Sequence, residues 1–261
     1  MFETLDYSVE NGIARIVLNR PDRHNAINSV MSRELPMAWR RFSADPSAIV
    51  AILSGAGSKA FCTGADIADL PQVDDPDLSV KDQLKWTPRQ NQVWKPVICA
   101  VNGMAVGGGL HFVADSDIVI ASESASFFDT HVRVGLVAGL EPVALTRKIP
   151  FEAVMRMALM GGGERIDAAQ ALRIGLISER VAPQDLMARA QAIAGIIKQN
   201  SPMAMARTKQ AIWRSLEAPL EVALDHASAL ISEHNAGPDF AEGQAAFLER
   251  RAPRWSPYHE G

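Results

Sequence analysis

Short apolar runs, rich in β-branched residues and closed by glycine, proline or polar residues, punctuate the first half of the chain. Ile13-Ala14-Arg15-Ile16-Val17-Leu18, Ile49-Val50-Ala51-Ile52-Leu53-Ser54-Gly55, Pro96-Val97-Ile98-Cys99-Ala100-Val101 and Asp117-Ile118-Val119-Ile120-Ala121 have the length and composition of buried strands. Residues 29–42 and 80–93 carry the longer polar and apolar mixtures expected of helices, and Leu110-His111-Phe112-Val113-Ala114 suits a further helix. Strand and helix therefore alternate, which predicts a layered α/β fold. Past Pro142 the strand signal stops and helices are expected over 151–160, 184–199, 202–215, 219–234 and 239–250. Leu220, Leu224, Ala227 and Ile231 recur at helical spacing. Gly161-Gly162-Gly163 should end one helix, and Asp167-Ala168-Ala169-Gln170 reads as a capping box opening the next. The acidic, proline-broken segment 71–80 predicts a mobile surface loop.

With 261 residues and 48% hydrophobic content the chain can bury a full-sized core. The core is expected over 1–195, with 196–261 as a helical region packing on it and on an oligomer interface; no Gly/Ser/Pro linker separates the two. The net charge of −4 arises from 26 basic and 30 acidic residues without a long run of one sign, so neither a nucleic-acid nor an anionic-membrane partner is expected. Residues 1–6 lack the basic start and apolar centre of a signal peptide, and no apolar run reaches membrane-spanning length, so cytoplasmic residence is the expectation. Cys62 and Cys99 lie in apolar sequence without metal-ligand spacing and read as reduced core thiols.

Candidate chemistry centres on Gly107-Gly108-Gly109, between the apolar segment ending at Val106 and Leu110-His111-Phe112. Three glycines in a row disfavour regular structure and suit a sharp turn or a closely approached backbone. A helix opening there would present free N–H groups and its positive dipole end to an anion, or to an oxygen becoming one. A P-loop would continue Lys-Ser/Thr, whereas Leu-His-Phe follows, and G-x-G-x-x-G spacing is absent. An oxyanion site is favoured over a phosphate cradle, the alternative being a tight turn with no ligand.

Five segments, in order, resemble the crotonase, or enoyl-CoA hydratase/isomerase, superfamily: 19–27 (Asn-Arg-Pro-Asp-Arg-His-Asn-Ala-Ile), 55–67, 96–110, 164–177 and 242–253. The resemblance implies an α/β fold built as a crotonase-like spiral of ββα units with a helical C-terminal region, assembled as a homotrimer or hexamer. It implies an acyl-CoA thioester as substrate, with coenzyme A part of that substrate and no separate cofactor. By position it assigns the oxyanion donors to the backbone N–H groups of Ala65 and Gly108. It assigns coenzyme A binding to Arg23, Asn25, Ala26 and the stretch Ala65, Asp66, Ile67 and Ala68, with Gly108 again contacting substrate. A solvated Arg23 and an Asp66 that caps a turn are the competing readings of those two residues.

The family's best-known hydratases hold water between two glutamates, and the matching positions here are His111 and His131. Imidazole can serve as a general base near neutral pH. Asp129, two residues before His131, could orient its ring from an extended segment or cap a turn. Glu141 is the nearest replacement carboxylate, competing with a role in the first turn of a helix carrying Pro142 at its first position. Three functions follow: hydration or isomerisation of an enoyl-CoA with His111, His131 or Glu141 moving the proton; thioester or carbon–carbon hydrolysis by a histidine base; and acyl-CoA binding without catalysis.

Overall fold

The computed structural model describes residues 1–73 and 75–259. A six-stranded sheet runs in the order β1 (Leu5–Glu10), β2 (Ile13–Leu18), β3 (Val50–Gly55), β5 (Val97–Val101), β7 (Ile118–Ser122), β10 (Glu179–Val181). β1 and β2 form an antiparallel hairpin, and every later pairing in this sheet is parallel. The hairpin turns at Asn11-Gly12, both with positive φ, as a two-residue turn of that sequence favours. The central strands are buried on both faces, which explains their uninterrupted apolar sequences.

A second, four-stranded sheet is made of β4 (Ala60–Cys62), β6 (Met104–Val106), β8 (Ser126–Phe128) and β9 (Ile166–Asp167). Three times a strand of the large sheet is followed by one of the small sheet: β3 by β4, β5 by β6, β7 by β8. This is the repeating unit of the expected spiral. The helices are α1 (Ser29–Ala44), α2 (Val80–Gln83), α3 (Leu110–Asp115), α4 (Leu140–Leu145), α5 (Phe151–Leu159), α6 (Ala168–Arg173), α7 (Leu186–Ile197), α8 (Pro202–Ser215), α9 (Leu220–Asn235) and α10 (Pro238–Glu249).

Alternate residues of the large sheet feed two cores. Ala51, Leu53, Cys99 and Val101 face a core containing Trp39, Phe42, Phe61, Phe112 and Phe127, whereas Val50, Ile52, Ile98 and Ile120 pack on Leu186, Ala190 and Ile193 of α7. Cys62 and Cys99 are buried and free, and burial pushes both thiols up to about 12. Among the described residues no helix is long and apolar enough to cross a membrane.

Two expectations are corrected. The helix expected over 80–93 ends at Gln83, because Pro88 lacks an N–H and disfavours helical backbone at Thr87. Side chains take over: Gln90 accepts from the N–H groups of Trp86 and Thr87 at 3.0 and 3.1 Å. Within the neighbouring segment 71–80, Asp74 lies outside the described residues. The second half, expected to be wholly helical, also contributes β9 and β10, strands of two and three residues that are too short to show periodicity. Asp167 does cap α6, accepting from the Gln170 N–H at 2.7 Å.

Candidate active site

Two strand exits of the small sheet meet. After β4 the chain passes through Gly64 to Ala65, and after β6 it enters a 3-10 turn, Gly107–Gly109, that runs directly into α3. Glycine is required by proximity: a Cβ on Gly64, whose φ is +83°, would lie 2.8 Å from the Gly108 nitrogen, and one on Gly109 would lie 2.3 Å from the Cys62 carbonyl oxygen. A Cβ on Gly108 would sit 3.6 Å from the Ala65 nitrogen, so the two amides are neighbours.

Each has reason to be free. Ala65 forms a parallel bridge with Ile27, made by Ile27 N–H to Gly64 C=O at 2.7 Å and Asp66 N–H to Ile27 C=O at 2.8 Å, so its own N–H points away from that bridge. Gly108 is the second residue of its helical turn, where an N–H has no intrahelical acceptor.

Beside these amides lies a cluster of four titratable side chains. His111, on α3, and Glu141, in the first turn of α4, are each 5% exposed, and His111 Nε2 is 3.2 Å from Glu141 Oε1. His131 opens a 3-10 turn, and its Nε2 lies 3.9 Å from the same Glu141 oxygen. The other ring nitrogen, Nδ1, is 2.9 Å from Asp129 Oδ2, while Asp129 Oδ1 accepts from the His131 backbone N–H at 2.8 Å. The His131 ring rests against the glycines, its Cε1 3.3 Å from where a Cβ on Gly107 would be. Trp86 closes the other side: its ring meets His111 edge-on at 5.8 Å between centroids, and its Cζ3 is 3.1 Å from a Cβ built on Gly108. The indole is pinned by Nε1–H donation to Ser32 Oγ at 2.8 Å.

Environment separates the acid and base properties of the cluster. The hydrogen bond to Asp129 raises the His131 pKa above its ordinary value; burial opposes this, and the charges of Glu141 and Asp129 reinforce it. Burial pushes Glu141 upward, yet the His111 hydrogen bond and the nearby imidazoles outweigh it and hold the carboxyl below its ordinary value.

The residues expected at coenzyme A divide in two. Arg23, Ile67 and Ala68 are exposed on adjoining loops, with Arg23 close enough to help lower the Asp66 pKa. Asn25 and Ala26 are buried. The Asn25 amide donates to the carbonyls of Ala56 and Ala60 at 2.9 and 3.0 Å and its oxygen accepts from the Arg20 N–H at 3.0 Å, so it latches the loop from within. Asp66 is engaged by Arg20 at 2.9 Å and accepts from the Ala68 N–H at 3.1 Å, a turn cap reinforced by an ion pair.

Of the two readings of Asp129, the turn is the one found: it reaches His131 through a tight turn, with Thr130 at φ −126° and ψ 0°. It therefore both caps that turn and meets the ring. Glu141 does occupy a first helical turn, although Pro142 stands third in α4 and not first. Trp86 and Arg20 escaped the sequence reading. Trp86 lies within a stretch whose polar and apolar mixture suggests a helix, with only the following Thr-Pro pointing to a loop, and nothing in the Asn19–Ile27 sequence indicates the ion pair of Arg20.

The family model described as enoyl-CoA hydratase/isomerase matches residues 8–257. An (E)-benzylidenesuccinyl-CoA hydratase of Thauera aromatica is 39% identical over 94% of this chain and 96% of its own. A short-chain-enoyl-CoA hydratase of Clostridium acetobutylicum is 35% identical over 93% of each. The crystal structure of an enoyl-CoA hydratase/isomerase from Mycobacterium paratuberculosis superimposes with a TM-score of 0.91 at 41% identity, covering 98% of this chain and 99% of that one.

Proposed function

Because the chain belongs to the enoyl-CoA hydratase/isomerase family, we propose that it hydrates or isomerises an enoyl-CoA, holding the thioester oxygen on the Ala65 and Gly108 N–H groups and moving protons through Glu141, His131 and His111. The observation that carries this reading is the convergence of two imidazole nitrogens on one buried carboxylate oxygen, at 3.2 and 3.9 Å, beside the glycine turn.

The chemistry follows from where charge collects. In hydration, a base takes a proton from water, the oxygen adds to Cβ, and the electron pair of the double bond shifts to the thioester oxygen as an enolate. Two preorganised N–H donors stabilise that oxygen, each worth about 2.7–4 kcal/mol in the transition state. Protonation at Cα then completes the product.

An acid and a base are both needed near neutral pH, and groups whose pKa values are driven apart supply them. Glu141, held as carboxylate, is the base; His131, held toward imidazolium, is the acid; His111 anchors Glu141. On the resemblance in sequence, His111 and His131 stand at the positions where the family's best-known hydratases carry glutamates. In isomerisation the same groups would take a proton from one carbon and return it to another. Coenzyme A enters as part of the substrate along Arg23 and residues 65–68, and no separate cofactor is required. The exposed apolar side chains of α9 and α10, among them Leu220, Leu224, Phe247 and Leu248, support assembly as a homotrimer or hexamer.

The test is a panel of enoyl-CoA substrates of differing chain length that includes an aryl-substituted member, as the name of the Thauera relative suggests. Loss of the conjugated-thioester absorbance without thiol release supports hydration. Release of free thiol would indicate hydrolysis, and binding without either signal would indicate a non-catalytic acyl-CoA binder.

A further inference from the structure

Resting on the acid–base assignment above, we infer that Asp129 is a positioning residue that fixes the tautomer and aim of His131, so that Nδ1 carries the proton given to the carboxylate and Nε2 is the atom that exchanges protons with substrate. The side chain is 0% exposed, yet both of its oxygens are spent on a single residue: Oδ1 on the His131 backbone N–H at 2.8 Å and Oδ2 on its Nδ1 at 2.9 Å. A carboxylate that only capped the turn would need one of these contacts. The second fixes ring rotation, and the Gly107 backbone supplies the surface against which the ring lies, with Cε1 3.3 Å from the Cβ position.

The consequence is directional. A carboxylate accepts only, so Nδ1 must be the donor and Nε2 is left facing Glu141 Oε1 at 3.9 Å, beyond hydrogen-bond length. The gap leaves the Nε2 position to an exchanging proton instead of locking it in a permanent bond. Among the described residues, the titratable groups facing this imidazole are Asp129 from its own turn and Glu141 from α4, the latter shared with His111 of α3. Asp129 is the one that contacts the nitrogen remote from Glu141.

The experiment combines turnover with histidine NMR on the intact chain. In 15N-histidine-labelled protein, with the His131 signal assigned by its loss in His131→Gln, the neutral ring should be the Nδ1–H tautomer and should titrate above about 6.5. In Asp129→Asn that titration should move to lower pH, and kcat should fall by about 10²-fold or more while KM stays within about twofold, since proton transfer and not binding is impaired. An unchanged titration with kcat within about twofold would overturn the assignment. Should Asp129→Asn fail to fold, the wild-type spectrum decides: an Nε2–H tautomer refutes the positioning role and an Nδ1–H tautomer supports it. Absence of any enoyl-CoA turnover by the wild type would refute the catalytic reading instead, and the NMR measurement would still decide how Asp129 holds the ring.

Discussion

Replacing Glu141 by Gln removes one charge from the centre of the cluster while keeping its shape. In the native protein Oε1 lies 3.2 Å from His111 Nε2 and 3.9 Å from His131 Nε2, and the side chain is 5% exposed, so screening by water is slight. Folding stability should change little: a hydrogen bond to a charged group contributes about 1.5–3 kcal/mol, and much of that is offset by no longer burying a carboxylate. Catalysis should change greatly. A positioned general base contributes about 10²–10⁴-fold, or roughly 2.7–5.4 kcal/mol at 1.36 kcal/mol per decade. Steady-state kinetics across pH should therefore show kcat falling by that factor with KM little altered. In the wild type, kcat/KM should be bell-shaped. Glu141 is depressed, so its carboxylate is present above the ordinary range and lost only as pH falls through a lower value; His131 is raised, so its imidazolium persists below about 6.5 and is lost as pH rises through a higher one. In Glu141→Gln the acid limb should vanish and the basic limb move to lower pH, since a charge that favours imidazolium has gone. A variant within about threefold of wild-type kcat, with an unchanged profile, would refute the assignment of Glu141 as base.

Further outcomes follow from the same geometry. His111→Ala and His131→Ala should each abolish turnover without weakening coenzyme A binding, measured by calorimetry; retained turnover in both would remove the histidines from the mechanism. Gly109→Ala places a Cβ 2.3 Å from the Cys62 carbonyl oxygen, forcing β4 and the glycine turn apart; overpacking of this kind costs about 1–3 kcal/mol, at about 2–4 °C of melting temperature per kcal/mol. Gly195→Ala in α7, where an added Cβ meets nothing within 4 Å, should instead raise the melting temperature by exchanging glycine for a better helix former.

What the amino-acid pattern revealed depended on the length over which each signal is summed. The central strands are buried on both faces and announce themselves as continuous apolar runs, and α8 to α10 are long enough for periodicity to emerge. β4, β6, β8, β9 and β10 have two or three residues each and are specified by pairing with distant neighbours, which no local pattern encodes. The candidate site divides in the same way. The glycines announced a backbone-built feature because three in a row stand out in the sequence itself, although the groups that crowd them, such as the Cys62 carbonyl and the Gly64 backbone, come from a distant segment. His111, His131 and Glu141 could be named individually, but Glu141 reaches His111 only because α4 packs against α3, a tertiary event. Asn25 and Asp66 show the converse, polar residues in a recognisable motif whose side chains are spent holding loops together.

The proposed chemistry requires a thioester oxygen between the Ala65 and Gly108 amides with the acyl carbons turned toward Glu141 and His131. A crystal structure with a non-hydrolysable acyl-CoA analogue tests it most directly. The analogue's carbonyl oxygen should lie about 2.7–3.1 Å from both nitrogens, with Cα and Cβ beside Glu141 Oε1 and His131 Nε2. A carbonyl bound away from either amide, or acyl carbons directed away from this cluster, would contradict it.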